Sequence, residues 1–164
     1  MSVVRVCFVC LGNICRSPTA EAIFVRDVSN AGLSSRFRID SAGTGDWHVG
    51  QHAHPETRRT AQARGVPITH LARQFVAHDF DAFDVILVMD RSNHRNVLAL
   101  APDEAARAKV HCFRDFEAGT QPMTEVPDPY HVGGFDEVFD ICERASRGLL
   151  AHLVRTHELT AWSG

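Results

Sequence analysis

Lysine is almost absent from this sequence of 164 residues, since Lys109 is the single lysine among 17 basic residues. Any anion site in the chain is therefore expected to rely on the guanidinium groups of arginine. A basic excess is missing as well, because the formal net charge is -3. Neither duplex nucleic acid nor an anionic membrane is therefore an expected partner.

Long apolar runs and a disulfide framework are missing too. No run reaches the roughly 18 residues of a transmembrane helix, and the apolar start at residues 3–11 lacks the flanks of a signal peptide. Five cysteines is an odd number, and their clustering at Cys7, Cys10 and Cys15 does not suit paired disulfides. We therefore expect a cytoplasmic protein in a reducing compartment, with export without a signal peptide left open.

The sequence does contain an alternation of apolar β-branched runs and helical stripes. This alternation predicts an α/β fold with a parallel sheet, right-handed crossovers and one domain over residues 1–164. Proline and glycine predict a loop at residues 117–130. Strands are predicted at residues 3–9, 36–40, 84–89 and 109–113, and helices at residues 18–31, 55–64, 91–101 and 135–154.

Side chains with chemical capability follow the predicted strands at the edge where ligands bind in open α/β sheets. A nucleophile, a cation, an aromatic ring and two carboxylates are all expected at this edge. They are Cys10, Arg16 and Ser17 after the first strand, Ser41 and Trp47 after the second, Asp90 after the third and Asp128 after the fourth.

The segment between Cys10 and Arg16 suits a phosphate. Gly12 permits a positive φ and Asn13 tolerates one, so the loop can turn its N–H groups inward at the start of a helix. Arg16 can hold two phosphate oxygens. Thiols in such a field ionise more readily than free thiols, so Cys10 is expected to be a thiolate beneath the phosphorus. The bare Cys-x5-Arg spacing also fits a buried cysteine in an ordinary βα turn.

Two further residues support this interpretation. Ser17 is expected to cap the first helix, ahead of Pro18 as its first residue, and to donate a hydrogen bond to the Cys10 thiolate. Asp128 lies in the long loop between Pro127 and Pro129, and the following Pro129 pushes it out of the helical region. It is therefore the candidate general acid, although an Asp in an ordinary proline turn is the alternative.

Five segments together resemble the low-molecular-weight protein tyrosine phosphatases. The resemblance spans nearly the whole chain, with the motifs in family order. It implies a single three-layer domain, with a four-stranded parallel sheet flanked by helices and a phosphate-binding loop between the first strand and first helix. The segments are CLGNICRSP at 10–18, SAGTGDWHVG at 41–50, THLARQ at 69–74, VMDRSN at 88–93 and DPYH at 128–131.

The resemblance also implies a role for each matching residue. Cys10 matches the nucleophile, Arg16 the phosphate clamp and Asp128 the general acid. Cys15 matches a second cysteine that forms a reversible disulfide with Cys10 on oxidation. The remaining matches are Asn13, Ser17, Ser41 and His70 for the hydrogen bonds that shape the phosphate loop, together with Leu11, Ile14, Trp47 and Tyr130 for the apolar walls around the substrate ring.

Two positions refine the expected substrate. Relatives specific for phosphoarginine tend to carry Thr at position 14, so Ile14 favours phosphotyrosine. Many members have a second tyrosine after DPY, where this chain has His131, which changes one edge of the expected substrate cleft. The expected partner is a tyrosine-phosphorylated protein, with a cognate tyrosine kinase as one option, and a monomer is the default. No cofactor or metal is expected, because Arg16 and the main-chain N–H groups supply the positive charge.

Three other classes compete with this interpretation. Arsenate reductases of the same fold need two more cysteines around the third strand, and residues 75–95 contain none. A phosphocysteine carrier, which would not need Asp128, or a non-hydrolytic phosphate-binding module is a second class. A redox or metal site could use Cys7 and Cys10, but a spacing of three along a strand points the two side chains to opposite faces.

Overall fold

The sheet has four parallel strands, as the resemblance implies. A computed structural model describes residues 2–160 and places the strands in the order β2-β1-β3-β4. The first strand in the chain is therefore central and pairs with parallel neighbours on both sides. The strands are β1 (Val4–Cys10), β2 (Phe37–Gly43), β3 (Val85–Val88) and β4 (Val110–Cys112).

Helices cover both faces of the sheet and complete three layers. The pattern follows from β1, whose alternate side chains enter two separate apolar clusters. Phe8 packs with α1 and α7 on one face, whereas Val9 packs with α3 and α4 on the other. The helices are α1 (Arg16–Asn30), α2 (Pro55–Ala63), α3 (Asp79–Ala82), α4 (Arg91–Leu98), α5 (Glu104–Arg107), α6 (Pro129–Val132) and α7 (Phe135–Thr156).

The predicted capping of the first helix is wrong. Helix α1 begins at Arg16, with Cys15 in the N-cap position and no side-chain cap. Ser17 cannot cap the helix because its hydroxyl is committed elsewhere: it lies 3.0 Å from the Cys10 sulfur and accepts a hydrogen bond from the Asn13 amide. The expected contact between Ser17 and Cys10 is therefore present in geometry, and Ser17, the second residue of α1, supports the loop instead of capping the helix.

The sequence did not predict helices α3, α5 and α6, because each has only four residues and is too short to show a helical spacing of apolar residues. Helix α6 lies at the end of the segment predicted as a loop, where Asp128 caps it by accepting a hydrogen bond from the Tyr130 N–H at 3.1 Å. Pro129 is its first residue, a position that costs no hydrogen bond. The proline that stiffens the Asp128 backbone therefore also starts a helix.

All five cysteines are buried free thiols. Cys7 and Cys10 enter opposite apolar clusters, as the strand period predicts, so they cannot bind one metal together. Burial raises the pKa of Cys112 to about 11 and that of Cys142 to about 12, as expected for cysteines that act as small apolar side chains. Within residues 2–160, no helix combines the length and apolarity needed to span a membrane.

Candidate active site

The loop from Leu11 to Cys15 turns sharply between β1 and α1. Asn13 has a φ of 56°, the left-handed region that it was expected to tolerate. Gly12, in contrast, does not adopt a positive φ, so that expectation is wrong. A close approach matters instead at Gly43, where a Cβ would lie 2.7 Å from the Leu11 carbonyl oxygen and 3.0 Å from the Asn13 nitrogen. The end of β2 therefore supports the loop only as glycine.

The main chain of this loop presents free N–H groups. The Asn13 N–H points to the Cys10 sulfur at 3.3 Å. The N–H groups of Gly12, Ile14 and Cys15 find no acceptor in the part of the chain that the structure describes. Successive unpaired amides at a helix N-terminus form a concave site for an anion. Cys10 lies at its base and is 2% exposed.

The Asn13 side chain holds the loop in shape. Its Nδ2 donates to Ser17 Oγ at 2.8 Å and to Ser41 Oγ at 3.0 Å. Its Oδ1 accepts from the Arg73 main-chain N–H at 3.0 Å and from His70 Nε2 at 2.9 Å. Asn13 is 1% exposed, so all four hydrogen bonds are shielded from water. The structure therefore brings together the four residues that the resemblance assigned to this network.

Two members of the network were not predicted. Glu21 accepts a hydrogen bond from Ser41 Oγ at 2.6 Å, and burial raises its pKa to about 7 although that hydrogen bond acts in the opposite direction. Arg73 lies within the THLARQ segment, so closer attention to that motif could have identified it. Nothing in the sequence singles out Glu21, which is one polar residue among several on α1. Burial also lowers the pKa of His70.

Arg16 is a buried cation with carboxylate partners. It is 2% exposed, and its Nη1 donates to Asp90 at 2.7 Å and to the Val126 carbonyl at 3.1 Å. Its Nη2 lies 3.4 Å from Asp128. Burial alone would lower the pKa of Arg16, but the neighbouring Cys10, Asp90 and Asp128 raise it above the ordinary value. The guanidinium therefore stays charged and fixed in direction.

Asp90 has two roles, one toward Arg16 and one at the start of α4. One oxygen holds Arg16, and the other accepts a hydrogen bond from the Asn93 N–H at 2.7 Å, which caps α4. A carboxylate at a helix N-terminus is stabilised by the free N–H groups there. The start of α4 thus fixes the carboxylate that aims the guanidinium.

A pocket of about 220 Å³ opens above Cys10. Its walls bring the residues of the first loop together with two exposed aromatic rings, Trp47 and Tyr130. His131 lines the pocket, at the edge where the sequence placed it. His48 also lines the pocket, although the sequence did not single it out. The lining residues are Cys10, Leu11, Gly12, Ile14, Cys15, Arg16, Trp47, His48, Asp128, Tyr130 and His131.

The segment that carries Asp128 is tied to the body of the protein. Arg114 donates to Glu117 at 2.7 Å and to the Glu125 carbonyl at 2.9 Å, which links the two ends of the loop. Arg144 on α7 donates to the same Glu117 at 2.8 Å. Burial would raise the pKa of Glu117, but the hydrogen bonds from the two arginines outweigh it and hold the pKa below its ordinary value.

This geometry defines a class of protein: a phosphate-binding enzyme in which a cysteine faces an anion site on a parallel α/β sheet. A family described as low molecular weight phosphotyrosine protein phosphatase matches residues 5–159. The chain belongs to this family of protein tyrosine phosphatases.

Individual relatives agree with this assignment. A low molecular weight protein-tyrosine-phosphatase of Streptomyces coelicolor is 45% identical over 150 residues, which cover 90% of this chain and 92% of the relative. The crystal structure of a protein tyrosine phosphatase from Entamoeba histolytica superposes with a TM-score of 0.87 at 38% identity, covering 95% of this chain and 99% of that one. A drosophila arginine phosphatase has a TM-score of 0.83 at 31% identity, with 90% and 96% of the two chains covered.

Substitution of Asn13 should separate the role of its backbone from that of its amide. Both Asn13→Gly and Asn13→Ala leave the buried partners unpaired, which costs about 1–3 kcal/mol for each group. Alanine adds about 1–2 kcal/mol for the left-handed conformation. We expect at least a tenfold loss of kcat/KM in both variants. In urea unfolding, the alanine variant should be less stable than the glycine variant. An Asn13→Gly protein as stable and active as the parent would contradict the role of the amide.

The Glu117 contacts predict a loss of stability in acid. Because the folded-state pKa is lowered, the contribution is complete above the unfolded value of about 4.3 and disappears as pH falls through the folded value. In urea unfolding, the free energy of unfolding of the parent should therefore fall more between pH 7 and about pH 3 than that of Glu117→Gln. Equal losses in the two proteins would show that Glu117 does not anchor the loop.

Proposed function

We propose that this enzyme hydrolyses phosphotyrosine in proteins through a phosphate covalently bound to Cys10. The observation that carries the proposal is the convergence of the Cys10 sulfur, the free loop N–H groups and the Arg16 guanidinium on one pocket. The pocket supplies positive charge at its base and apolar walls above. Phosphotyrosine combines a dianion with an aromatic ring and so matches both parts.

The first step is an in-line displacement at phosphorus. The Cys10 thiolate forms the S–P bond while the P–O bond to the phenol breaks, and Asp128 gives its proton to the departing oxygen. The loop N–H groups and Arg16 hold the three equatorial oxygens. The transition state is loose and its negative charge is spread over these oxygens, so most of its stabilisation comes from these contacts. Arg16 lies 3.4 Å from Asp128, so the phosphate clamp and the proton donor act at one place.

The second step releases phosphate. Asp128, now a carboxylate, takes a proton from a water molecule, whose oxygen attacks phosphorus while the S–P bond breaks. Ser17 Oγ accepts a hydrogen bond from Asn13 Nδ2, and its own hydrogen can point at the sulfur 3.0 Å away instead of at the Ala42 carbonyl oxygen at 3.3 Å. That hydrogen and the Asn13 N–H stabilise the departing thiolate. The sequence of steps needs no metal at the phosphate because Arg16 and the main chain carry the charge.

The substrate ring is expected to lie between Trp47 and Tyr130. Trp47 is 67% exposed and Tyr130 is 50% exposed, so both can contact a bulky protein substrate. We propose a tyrosine-phosphorylated protein as the partner, with an autophosphorylating tyrosine kinase as one form of it. A monomer that works as one catalytic domain in the cytoplasm fits an open pocket and five unpaired thiols.

Cys15 remains the expected partner of Cys10 under oxidation. It lines the same pocket, and burial raises its pKa to about 12, so it stays a thiol at neutral pH. A thiol that does not ionise leaves Cys10 as the reactive sulfur of the pair. Oxidation of Cys10 would then precede any disulfide with Cys15.

Phosphoarginine is the second candidate substrate, because one structural relative is an arginine phosphatase. Ile14 is 6% exposed and lines the pocket, where its apolar surface favours an aromatic ring over a guanidinium. We expect Ile14→Thr to lower kcat/KM for a phosphotyrosine peptide by about tenfold, the usual effect of a small apolar contact in a specificity pocket. Parallel assays with a phosphoarginine peptide should show little turnover by the parent; a preference of the parent for phosphoarginine would reverse the assignment.

Two substitutions test the reaction itself. Cys10→Ser should abolish turnover while circular dichroism shows the fold intact, because serine is a far weaker nucleophile at the same place. Asp128→Ala should reduce kcat by roughly 10² to 10⁴, the usual effect of acid–base catalysis.

The size of the Asp128→Ala effect should depend on the leaving group. p-Nitrophenol leaves without much help from a proton, so kcat for p-nitrophenyl phosphate should fall less than kcat for a phosphotyrosine peptide. A variant with full activity on the peptide would remove Asp128 from the mechanism.

A further inference from the structure

We propose that Glu21, Asp40 and His70 form a Zn²⁺ site behind the phosphate loop, away from the reacting phosphate. The three side chains are partly buried, and one ligand atom from each lies within 4.8 Å of the other two. The sequence did not single out Glu21 or Asp40, and His70 was expected only to support the loop. The inference goes beyond phosphatase activity and does not depend on it.

Hydrogen bonds fix which nitrogen of His70 is free. Asn13 Oδ1 is an acceptor, because the Arg73 main-chain N–H donates to it at 3.0 Å. His70 Nε2, 2.9 Å from that oxygen, must therefore carry a hydrogen. In the neutral ring the lone pair then lies on Nδ1.

That lone pair faces two carboxylates. His70 Nδ1 is 3.3 Å from Glu21 Oε1 and 3.6 Å from Asp40 Oδ1. Arg73 supplies positive charge to Asp40 from one side, and the three converging atoms can in addition share a proton or bind a metal ion. Imidazole nitrogen with carboxylate oxygen is a ligand set that zinc accepts.

Two of the three ligand spacings match tetrahedral zinc. With Zn–N and Zn–O bonds of about 2.0–2.2 Å, adjacent ligand atoms in a tetrahedron lie roughly 3.3–3.6 Å apart. The two distances from His70 Nδ1 have these values, and the Glu21 and Asp40 oxygens lie within 4.8 Å of each other, so a zinc ion fits once these two oxygens take up the same spacing. Arg73 contacts Asp40 through the other oxygen, Oδ2, at 2.9 Å and leaves Oδ1 for the metal.

The site also has an entrance and an outer shell. Glu21 and His70 line a groove of about 340 Å³ between α1 and residues 65–70, through which an ion can enter and a water can complete the coordination. Metal-binding histidines generally donate the second ring nitrogen to an oxygen that orients the ring. Here that oxygen belongs to Asn13, the residue that shapes the phosphate loop. Bound zinc should therefore stabilise the fold around the loop.

The test uses Cys10→Ser protein, so that zinc cannot bind the reactive thiolate. Calorimetric titration with ZnCl₂ should show one saturable site, and ¹⁵N NMR should show the His70 Nδ1 signal shift while Nε2 stays protonated. Asp40→Asn in the same background should weaken zinc binding by about tenfold or more, since loss of an outer-shell partner alone typically costs 10–100-fold. Zinc should also raise the melting temperature of the Cys10→Ser protein but not of the Asp40→Asn double variant.

Asp84→Asn is the matched control, because Asp84 pairs with Arg5 as Asp40 pairs with Arg73. It should leave zinc affinity unchanged. The ten histidines could bind zinc elsewhere, and the His70 signal separates that outcome. Zinc binding that leaves His70 Nδ1 unshifted, an affinity unaffected by Asp40→Asn, or the absence of a saturable site would overturn the proposal and leave a shared proton between Glu21 and His70.

Discussion

The buried amide of Asn13 is the interaction on which the rest of the site depends. Its backbone adopts a left-handed conformation that few residues tolerate, and its side chain satisfies four hydrogen bonds out of contact with water. An alternative path of the loop would leave those partners unpaired, which is costly in a low-dielectric interior. The main-chain N–H groups therefore face the pocket before any anion arrives, so little reorganisation remains for the reaction.

The charge of Arg16 is also held in place before any anion binds. A guanidinium that is 2% exposed would be unfavourable alone, but Asp90 holds it at 2.7 Å and is itself held by the start of α4. The desolvation of one ion is offset by a second ion and a helix terminus. The direction of the cation is thus fixed by a helix that Val97 anchors in the core, and side-chain motion cannot easily move the charge away from the phosphate.

The sequence predicted the sheet and most of the pocket because short stretches of neighbouring residues determine those features. Buried strands appear as apolar runs, and the Cys10 to Arg16 segment has a distinctive composition. The resemblance assigned Ser17 to the loop network, but the local sequence also allowed it to cap the helix, since both uses need the same hydroxyl. Glu21 was missed for a related reason: its partner Ser41 is distant in sequence, so the pair exists only after α1 packs against β2.

The strand order has a consequence for how catalytic competence is acquired. The central strand is the first to be synthesised, yet the pocket needs Arg73 from a connection, Asp90 from the end of β3 and Asp128 from beyond β4. Parallel pairings of this kind form slowly, because each closes a long stretch of chain. No fragment short of the full sheet holds the complete constellation. The rate at which turnover recovers during refolding should consequently report when the last strand docks. A partly assembled chain should show no activity in that assay.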